Sequence, residues 1–521
     1  MILSASTRAW LMANRTSARM AMLLRIATLA LSSVSSVLWT RLLLGVLGDS
    51  VYGSFLSFQR ATRLAGLGDF GLSSGLALRV GQFIGRDEPE KLRKFLASAR
   101  TVQFAVAIGL GLVFCGLSPW LPSWLGFEQN AGTGPLSTLF FVGGVTISIG
   151  MLAGYFNGLN GAYATVTWPI LPIFFLGQFA LAGQWLVART GAVLWVQALV
   201  PLVALALQGA MLCWMLRAAH PWLGRLRPLG RDPAVWRELL ATSGWIYLYS
   251  IGNIIFTSID ALLINAGFGA AAVTPYQLNY KLVEIAIQVV ASASFIGQSK
   301  INLWIHSPEK NMQDRARAAV QRLGLFQSWF GTAAALGYLA VDNLFIRFWV
   351  GEEFRAPLAW QWAFALNLAV TLGGDAGIQI AALSHRSGLR MAGIVIGLTG
   401  LLNLALSFVA MKMGSIAGIA YATVLSQSIL SLVLARFTSR HLGMPFGPWL
   451  VRAWVAPVIS VTLLALLQRG IGSDRWASAG GLLAAAVVLL AIQARFTGVT
   501  RAVVSQELEI VRQMLGRNQK N

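Results

Sequence analysis

The chain has 521 residues and a formal net charge of +21, and it is 56% hydrophobic but only 11% charged. A soluble globular protein carries about 25% charged residues, and a mean hydropathy of +0.66 leaves no room for a large water-soluble domain. Nucleic-acid binding, the usual reading of so basic a chain, is excluded by the placement of the charges in short loops between apolar runs.

Residues 1–19 are polar and carry Arg8, Arg15 and Arg19. They resemble the basic start of a signal peptide. The apolar stretch that follows is about 25 residues long and has no small-residue cleavage site, so it reads as a retained first helix. Apolar runs long enough to cross the roughly 30 Å of hydrocarbon then recur to the end of the chain. In lipid the backbone must satisfy its own hydrogen bonds, and runs of this length do so as helices. The predicted fold is all-α: a polytopic membrane protein of about fourteen transmembrane helices. The predicted spans are 20–44, 52–82, 95–117, 136–159, 165–188, 192–216, 239–266, 275–299, 321–341, 358–383, 391–410, 416–435, 450–467 and 476–494.

The connections alternate in charge. Loops on the N-terminal side hold 26 Lys and Arg residues, those on the opposite side hold 6, and 8 of the 40 fall inside spans. By the positive-inside rule both termini are cytoplasmic and the span count is even. Cys115 and Cys213 lie in apolar runs and read as small core residues. The four histidines, His220, His306, His385 and His441, fall in loops and form no catalytic cluster. The tail at 500–521 reads either as an amphipathic surface helix or as a solvated segment.

The in-span charges are the candidate functional residues, because a charge at the bilayer centre costs roughly 2.5–3.5 kcal/mol. Arg79, Arg100 and Arg452 lie near span ends, where a long side chain reaches the interface. Arg41 is at the outer end of the first span, and Arg25 is about one and a half turns from its inner end. Arg60 and Arg63 are different. They fall near mid-membrane and, three residues apart, share a helix face. They either line a cationic cavity or are held in internal salt bridges, with Asp69 the nearest acid. Lys281 and Glu284, also one turn apart, are either a self-neutralising pair or a gating or proton-coupling pair. Asp260 and Asp375 are lone acids in apolar surroundings, Asp375 within the glycine-rich run LGGDAG at 372–377. Each could pair with an arginine or carry a proton. Within the spans 8 bases face 4 acids, a balance that suits an anionic substrate; arginine's planar fork suits phosphate. A faint repeat links the Arg60–Arg63 region to the Lys281–Glu284 region, as expected for a transporter built from two halves.

Several short motifs resemble those of polysaccharide exporters. They are RLLLGVLG at 41–48 followed by Val51, Tyr52 and Gly53; LGDFGL at 67–72 followed by Arg79; IDALLI at 259–264 before Tyr276 and Lys281; and FWVG at 348–351. The whole chain resembles the lipid-linked oligosaccharide (O-antigen, Wzx-type) flippases of the polysaccharide transporter family. These belong to the superfamily that also holds the multidrug and toxin extrusion pumps and the lipid II flippases. The resemblance implies two pseudo-symmetric six-helix lobes, at 20–216 and 239–435, joined by a cytoplasmic linker at 217–238. Two additional helices at 450–494 and a cytoplasmic tail at 495–521 follow. It implies alternating access around a cationic cavity, driven by a gradient of H+ or Na+, with no other cofactor. The implied substrate is an undecaprenyl-pyrophosphate-linked oligosaccharide moved from the cytoplasmic to the periplasmic leaflet of the bacterial inner membrane, as in O-antigen or exopolysaccharide synthesis. Carried over residue by residue, Arg60 and Arg63 would hold pyrophosphate or acidic sugar. Arg25, Arg41 and Lys281 would be secondary contacts, and Asp69, Asp260, Glu284 and Asp375 would gate or couple ions. The implied partners, besides the glycan and membrane lipids, are the polysaccharide polymerase and chain-length proteins.

A multidrug exporter or another lipid flippase of the same superfamily is the alternative, and the former should show acids dominating the cavity. A membrane enzyme such as a glycan polymerase needs a sizeable outward loop with catalytic groups. The longest outer loops here are about 18 residues and hold no histidine.

Overall fold

A computed structural model describes residues 18–65, 76, 80, 83, 89–128, 132–162, 167–220, 233–305, 310–372, 386–472 and 476–497. Among them there is no strand, and eleven helices are long and apolar enough to cross a membrane. In chain order the helices are α1 (Ala18–Ala65), α2 (Pro89–Leu117), the single turn α3 (Leu121–Trp124), α4 (Leu136–Ala162), α5 (Thr167–Arg189), α6 (Leu194–Ala219), α7 (Pro233–Phe268) and α8 (Ala270–Ile305). They continue with α9 (Lys310–Trp349), α10 (Leu358–Thr371), α11 (Arg386–Lys412), α12 (Ile416–Leu442), α13 (Phe446–Leu450), α14 (Ala456–Ile471) and α15 (Trp476–Thr497). The described residues of all fourteen predicted spans fall on helix. The counts differ because α1 carries two spans, α8 is more polar, and the described part of α10 is only 14 residues long.

The first two spans are separate helices, as predicted, joined without a loop and carried here under one label, α1. They meet at a kink where Gly48 takes φ 72° and ψ 171°. This φ/ψ region is essentially confined to glycine and costs a side-chain-bearing residue about 1–3 kcal/mol, so glycine is the residue that lets the chain turn here without a loop. The Tyr52 hydroxyl, one turn beyond the kink, donates to Thr40 Oγ1 at 3.5 Å and ties the two arms together. The cytoplasmic connection predicted around 300–322 is also largely helical, because α8 runs on to Ile305 and α9 begins at Lys310.

The chain forms two compact units, Met1–Ile254 with Phe268–Ala271, and Ile255–Gly267 with Ala272–Asn521. In the first unit α4 packs on α1, α2 and α6. Its contact with α2 is a close backbone approach: a Cβ on Gly144 would lie 3.0 Å from the Gly111 carbonyl oxygen and 2.5 Å from Cys115 Sγ. Lipid gives no hydrophobic force between helices, so such small-residue contacts supply the dispersion that holds them. The Ser148 hydroxyl adds a bond to the Ala107 carbonyl oxygen at 2.9 Å. Outward positions such as Leu112, Phe179, Val203 and Trp214 are exposed, as a lipid-facing surface requires.

In the second unit α9 is the hub, packed against α10, α14 and α15, while α11 packs on α12. The two C-terminal helices are fastened to α9 by buried polar groups. Gln468 Nε2 donates to the Leu339 carbonyl oxygen at 3.1 Å and to Gln361 Oε1 at 2.8 Å. Gln361 Nε2 donates to Asn343 Oδ1 at 2.6 Å. Gln493 Nε2 donates to Thr332 Oγ1 at 3.0 Å. The π-helical turn Val451–Val455 ahead of α14 offers the Ala453 carbonyl oxygen to the Ser328 hydroxyl at 2.7 Å.

Candidate functional site

The predicted site residues divide between the units. Arg41, Arg60 and Arg63 lie in the first, on α1. Phe58 and Thr62 face α4, where a Cβ on Gly143 would meet them at 3.0 Å. At about 100° per residue, Arg60 and Arg63 lie roughly 200° and 140° from Phe58, so they share the face turned away from α4. Arg60 is half-buried, and Arg63 and Arg41 are exposed. Arg25 also falls on α1, but its side chain lies outside the described residues, as do Asp69 and Asp375.

Lys281, Glu284 and Asp260 lie in the second unit. Lys281 Nζ sits 3.4 Å from Glu284 Oε2 with both side chains partly exposed, an ion pair that fits either alternative.

Asp260 is the centre of a cluster that α7, α8, α11 and α12 build together. The Tyr276 hydroxyl donates to Asp260 Oδ2 at 2.7 Å. Tyr276 is itself fixed by ring contacts with Trp360 at 5.7 Å and Phe364 at 5.1 Å. Thr423 Oγ1 is 3.3 Å from Asp260 Oδ2 and 3.2 Å from Asn403 Oδ1. Ser407 Oγ is 3.4 Å from Asn403 Oδ1. Thr423 has one hydroxyl proton and two acceptors in reach, so the cluster is rich in oxygen lone pairs and poor in protons. With Oδ1 turned into the cluster, Asn403 Nδ2 is buried without a hydrogen-bond partner.

Oxygen donors of this kind suit a hard cation. One carboxylate with neutral hydroxyl and amide oxygens matches a single positive charge. Among the described residues no three His, Cys, Asp or Glu side chains converge, so the donor set is not that of a zinc or other transition-metal site.

Sequence reasoning singled out Asp260 and missed Asn403, Ser407 and Thr423. A signal was present. Asn403 and Ser407 are four apart in an otherwise apolar run, hence on one face of α11. Asp342 was missed because it falls one residue beyond the predicted span that ends at position 341. It is fully buried on α9.

No protein-family signature and no curated protein matches this sequence. Solved structures do match in three dimensions. The lipid II flippase MurJ, in an inward closed conformation, is similar over 91% of this chain and 98% of its own, with a TM-score of 0.65 and 15% identity. An inward-facing multidrug resistance MATE family transporter of the MOP superfamily is similar over 81% of this chain and 98% of its own, with a TM-score of 0.58 and 10% identity. An outward-facing MATE transporter of the same superfamily gives 81% and 95%, with a TM-score of 0.58 and 12% identity. These neighbours are transporters and flippases rather than enzymes. The chain is thus a polytopic all-α membrane protein that shares the fold of these MurJ and MATE structures.

Proposed function

We propose that this protein is a flippase for an undecaprenyl-pyrophosphate-linked oligosaccharide, an O-antigen or exopolysaccharide repeat unit. It would work by alternating access in a bacterial inner membrane, with both termini cytoplasmic. The observation that carries this reading is the pair Arg60 and Arg63. Two guanidinium groups share one face of α1, turned away from the α4 contact, about eight and eleven residues into the predicted second span. Arginine's fork binds phosphate oxygens two at a time, and a bilayer tolerates such charges only where they have work to do. The likeness to a lipid II flippase supports a lipid-linked substrate. It extends further along the chain, 91% against 81%, than the likeness to MATE transporters. The difference is about the size of two membrane helices. In this reading Arg25, Arg41 and Lys281 are secondary contacts, and Asp69, Glu284 and Asp375 are gate candidates.

The Asp260 cluster would hold the coupling cation. Asp260, Asn403, Ser407 and Thr423 supply the oxygens, and sodium fits better than a proton. A proton needs one acceptor, whereas here Asp260 and Asn403 both present oxygens to Thr423, with Ser407 beside Asn403. Turning the Asn403 amide over would replace one of those oxygens by a donor, so the reading requires Oδ1 to face inward. When bound, the cation supplies charge balance for Asp260 and a gradient to draw on. The chain's own part is to hold the carboxylate through Tyr276 and to present the hydroxyls from α11 and α12.

A multidrug exporter is the second reading, favoured by the MATE likeness. An arginine-lined face suits an organic cation poorly. The two are separated in proteoliposomes by following a fluorescent undecaprenyl-pyrophosphate oligosaccharide across the bilayer. Flipping that is lost in Arg60→Ala/Arg63→Ala is expected. Absence of flipping by the native protein, with efflux of an organic cation instead, would overturn the flippase reading.

A further inference from the structure

The segment 350–357 that joins α9 to α10 is a strap fastened to the second unit. Asn279 Nδ2 donates to the Phe354 carbonyl oxygen at 2.8 Å, and Gln361 Nε2 donates to the Ala356 carbonyl oxygen at 2.9 Å. Beneath the strap lies Asp342, two turns before the end of α9 and 0% exposed. The one donor turned toward it from α9 is the Tyr338 hydroxyl, one turn earlier, and the two do not meet at full hydrogen-bonding geometry.

The titratable and charged groups acting on Asp342 are Tyr338 from α9 and Arg355 from the strap. Tyr338 in turn acts on Tyr276 of α8, which bonds Asp260. α10 carries no titratable side chain, and Arg469 of α14 is exposed. Arg355 Nη1 also lies 3.2 Å from Glu352 Oε1, and Glu352 Oε2 lies 3.7 Å from Arg347 Nε. Charges of alternating sign thus lead outward from the buried carboxylate: Arg355 with 24% of its side chain exposed, Glu352 with 60%, Arg347 with 51%.

We propose that Asp342 is a proton-binding site whose charge state Arg355 transmits to the strap. A buried ionised carboxylate costs several kcal/mol unless it is paired and hydrogen-bonded. When ionised, Asp342 needs the guanidinium, and Arg355 is drawn inward. A proton taken from solvent neutralises Asp342 and turns its hydroxyl into a donor. Arg355 is then left to Glu352, and the strap loses its innermost anchor. The site is separate from the cation cluster at Asp260, although Tyr338 and Tyr276 lie between them. It would make the strap loosen on acidification.

Infrared difference spectroscopy of the reconstituted full chain tests the proton, and hydrogen exchange at 350–357 tests the strap. The native protein is expected to gain a buried carboxylic acid band on acidification, and Asp342→Asn to lose it. Asp260→Asn is expected to keep it, so the test does not depend on the role given to Asp260. Strap amides, corrected for intrinsic exchange rates, should exchange faster at acid pH in the native protein and fast at every pH in Asp342→Asn. Should Asp342→Asn fail to fold, Asp342→Glu retains a carboxyl and is expected to shift both the band and its titration. A band unchanged in the Asp342 variants, or strap exchange independent of pH, would overturn the proposal.

Discussion

Asp260→Asn is the sharpest perturbation of the cation cluster. It changes one oxygen to an amide nitrogen, keeps the side chain's shape, and leaves Tyr276 an acceptor in place of the oxygen it now meets at 2.7 Å. Packing is therefore preserved, and the variant should fold. What is lost is the only carboxylate of the cluster. A hydrogen bond or ligand contact to a charged group is worth about 1.5–3 kcal/mol, and each 1.4 kcal/mol is about tenfold in affinity. Sodium should therefore bind roughly 10- to 100-fold more weakly. Linkage turns this into a stability measurement, because sodium at about 100 times its dissociation constant stabilises the native protein by roughly 2.7 kcal/mol. A variant bound 100-fold more weakly would gain only about 0.4 kcal/mol at the same concentration. Thermal unfolding of the purified protein in sodium chloride, against choline chloride at equal ionic strength, reads the difference directly. Thr423→Val, which removes a hydroxyl but no charge, should fall between the two. If Asp260→Asn gains as much from sodium as the native protein, Asp260 does not hold the ion and the assignment fails.

Three further outcomes follow from the geometry. Arg60→Ala/Arg63→Ala should abolish flipping of the pyrophosphate-linked glycan while leaving the protein in the membrane, read by flipping in proteoliposomes beside membrane abundance; Arg60→Lys/Arg63→Lys should rescue only part, since an ammonium cannot form the two-pronged contact. Gly48→Ala should cost about 1–3 kcal/mol through backbone strain alone, because nothing lies within 4 Å of the added methyl. Gly144→Ala should be worse and should loosen α2 from α4, since its methyl meets the Gly111 backbone at 3.0 Å; chemical denaturation in detergent ranks the two. Gln468→Leu strips the bonds to Leu339 and Gln361 and should destabilise by about 1–3 kcal/mol, seen as a lower unfolding temperature.

The helices were legible because an apolar run of about 20 residues has few alternatives in a bilayer. The loop expected between the first two spans was not, because a single glycine at positive φ can replace it. Gly48 looks in sequence like any other of the chain's 53 glycines. Asp260 stood out as a charge in hydrocarbon. Its partners did not, because Asn403, Ser407 and Thr423 are neutral and no composition argument flags them. Only their convergence from α11 and α12 gives them meaning. Lys281 and Glu284 could be read as a pair from their spacing, and the 3.4 Å contact has that form.

The second unit keeps two kinds of polar chemistry apart, and the division follows from cost. Around Gln361, Gln468, Asn343 and Trp362 every group is neutral, and the amides satisfy one another, with Trp362 Nε1 donating to Gln468 Oε1 at 3.3 Å. Such a network fixes how α9, α10 and α14 meet and gains nothing by changing state. Polar contacts between membrane helices average about 0.6 kcal/mol, enough in number to hold a helix in register. The clusters at Asp260 and Asp342 each contain a carboxylate inside a helix bundle. A bilayer protein that needed only rigidity could replace both acids by amides at lower cost. Since the neutral network already does the fastening, the roles proposed for Asp260 and Asp342 are ones an amide could not fill.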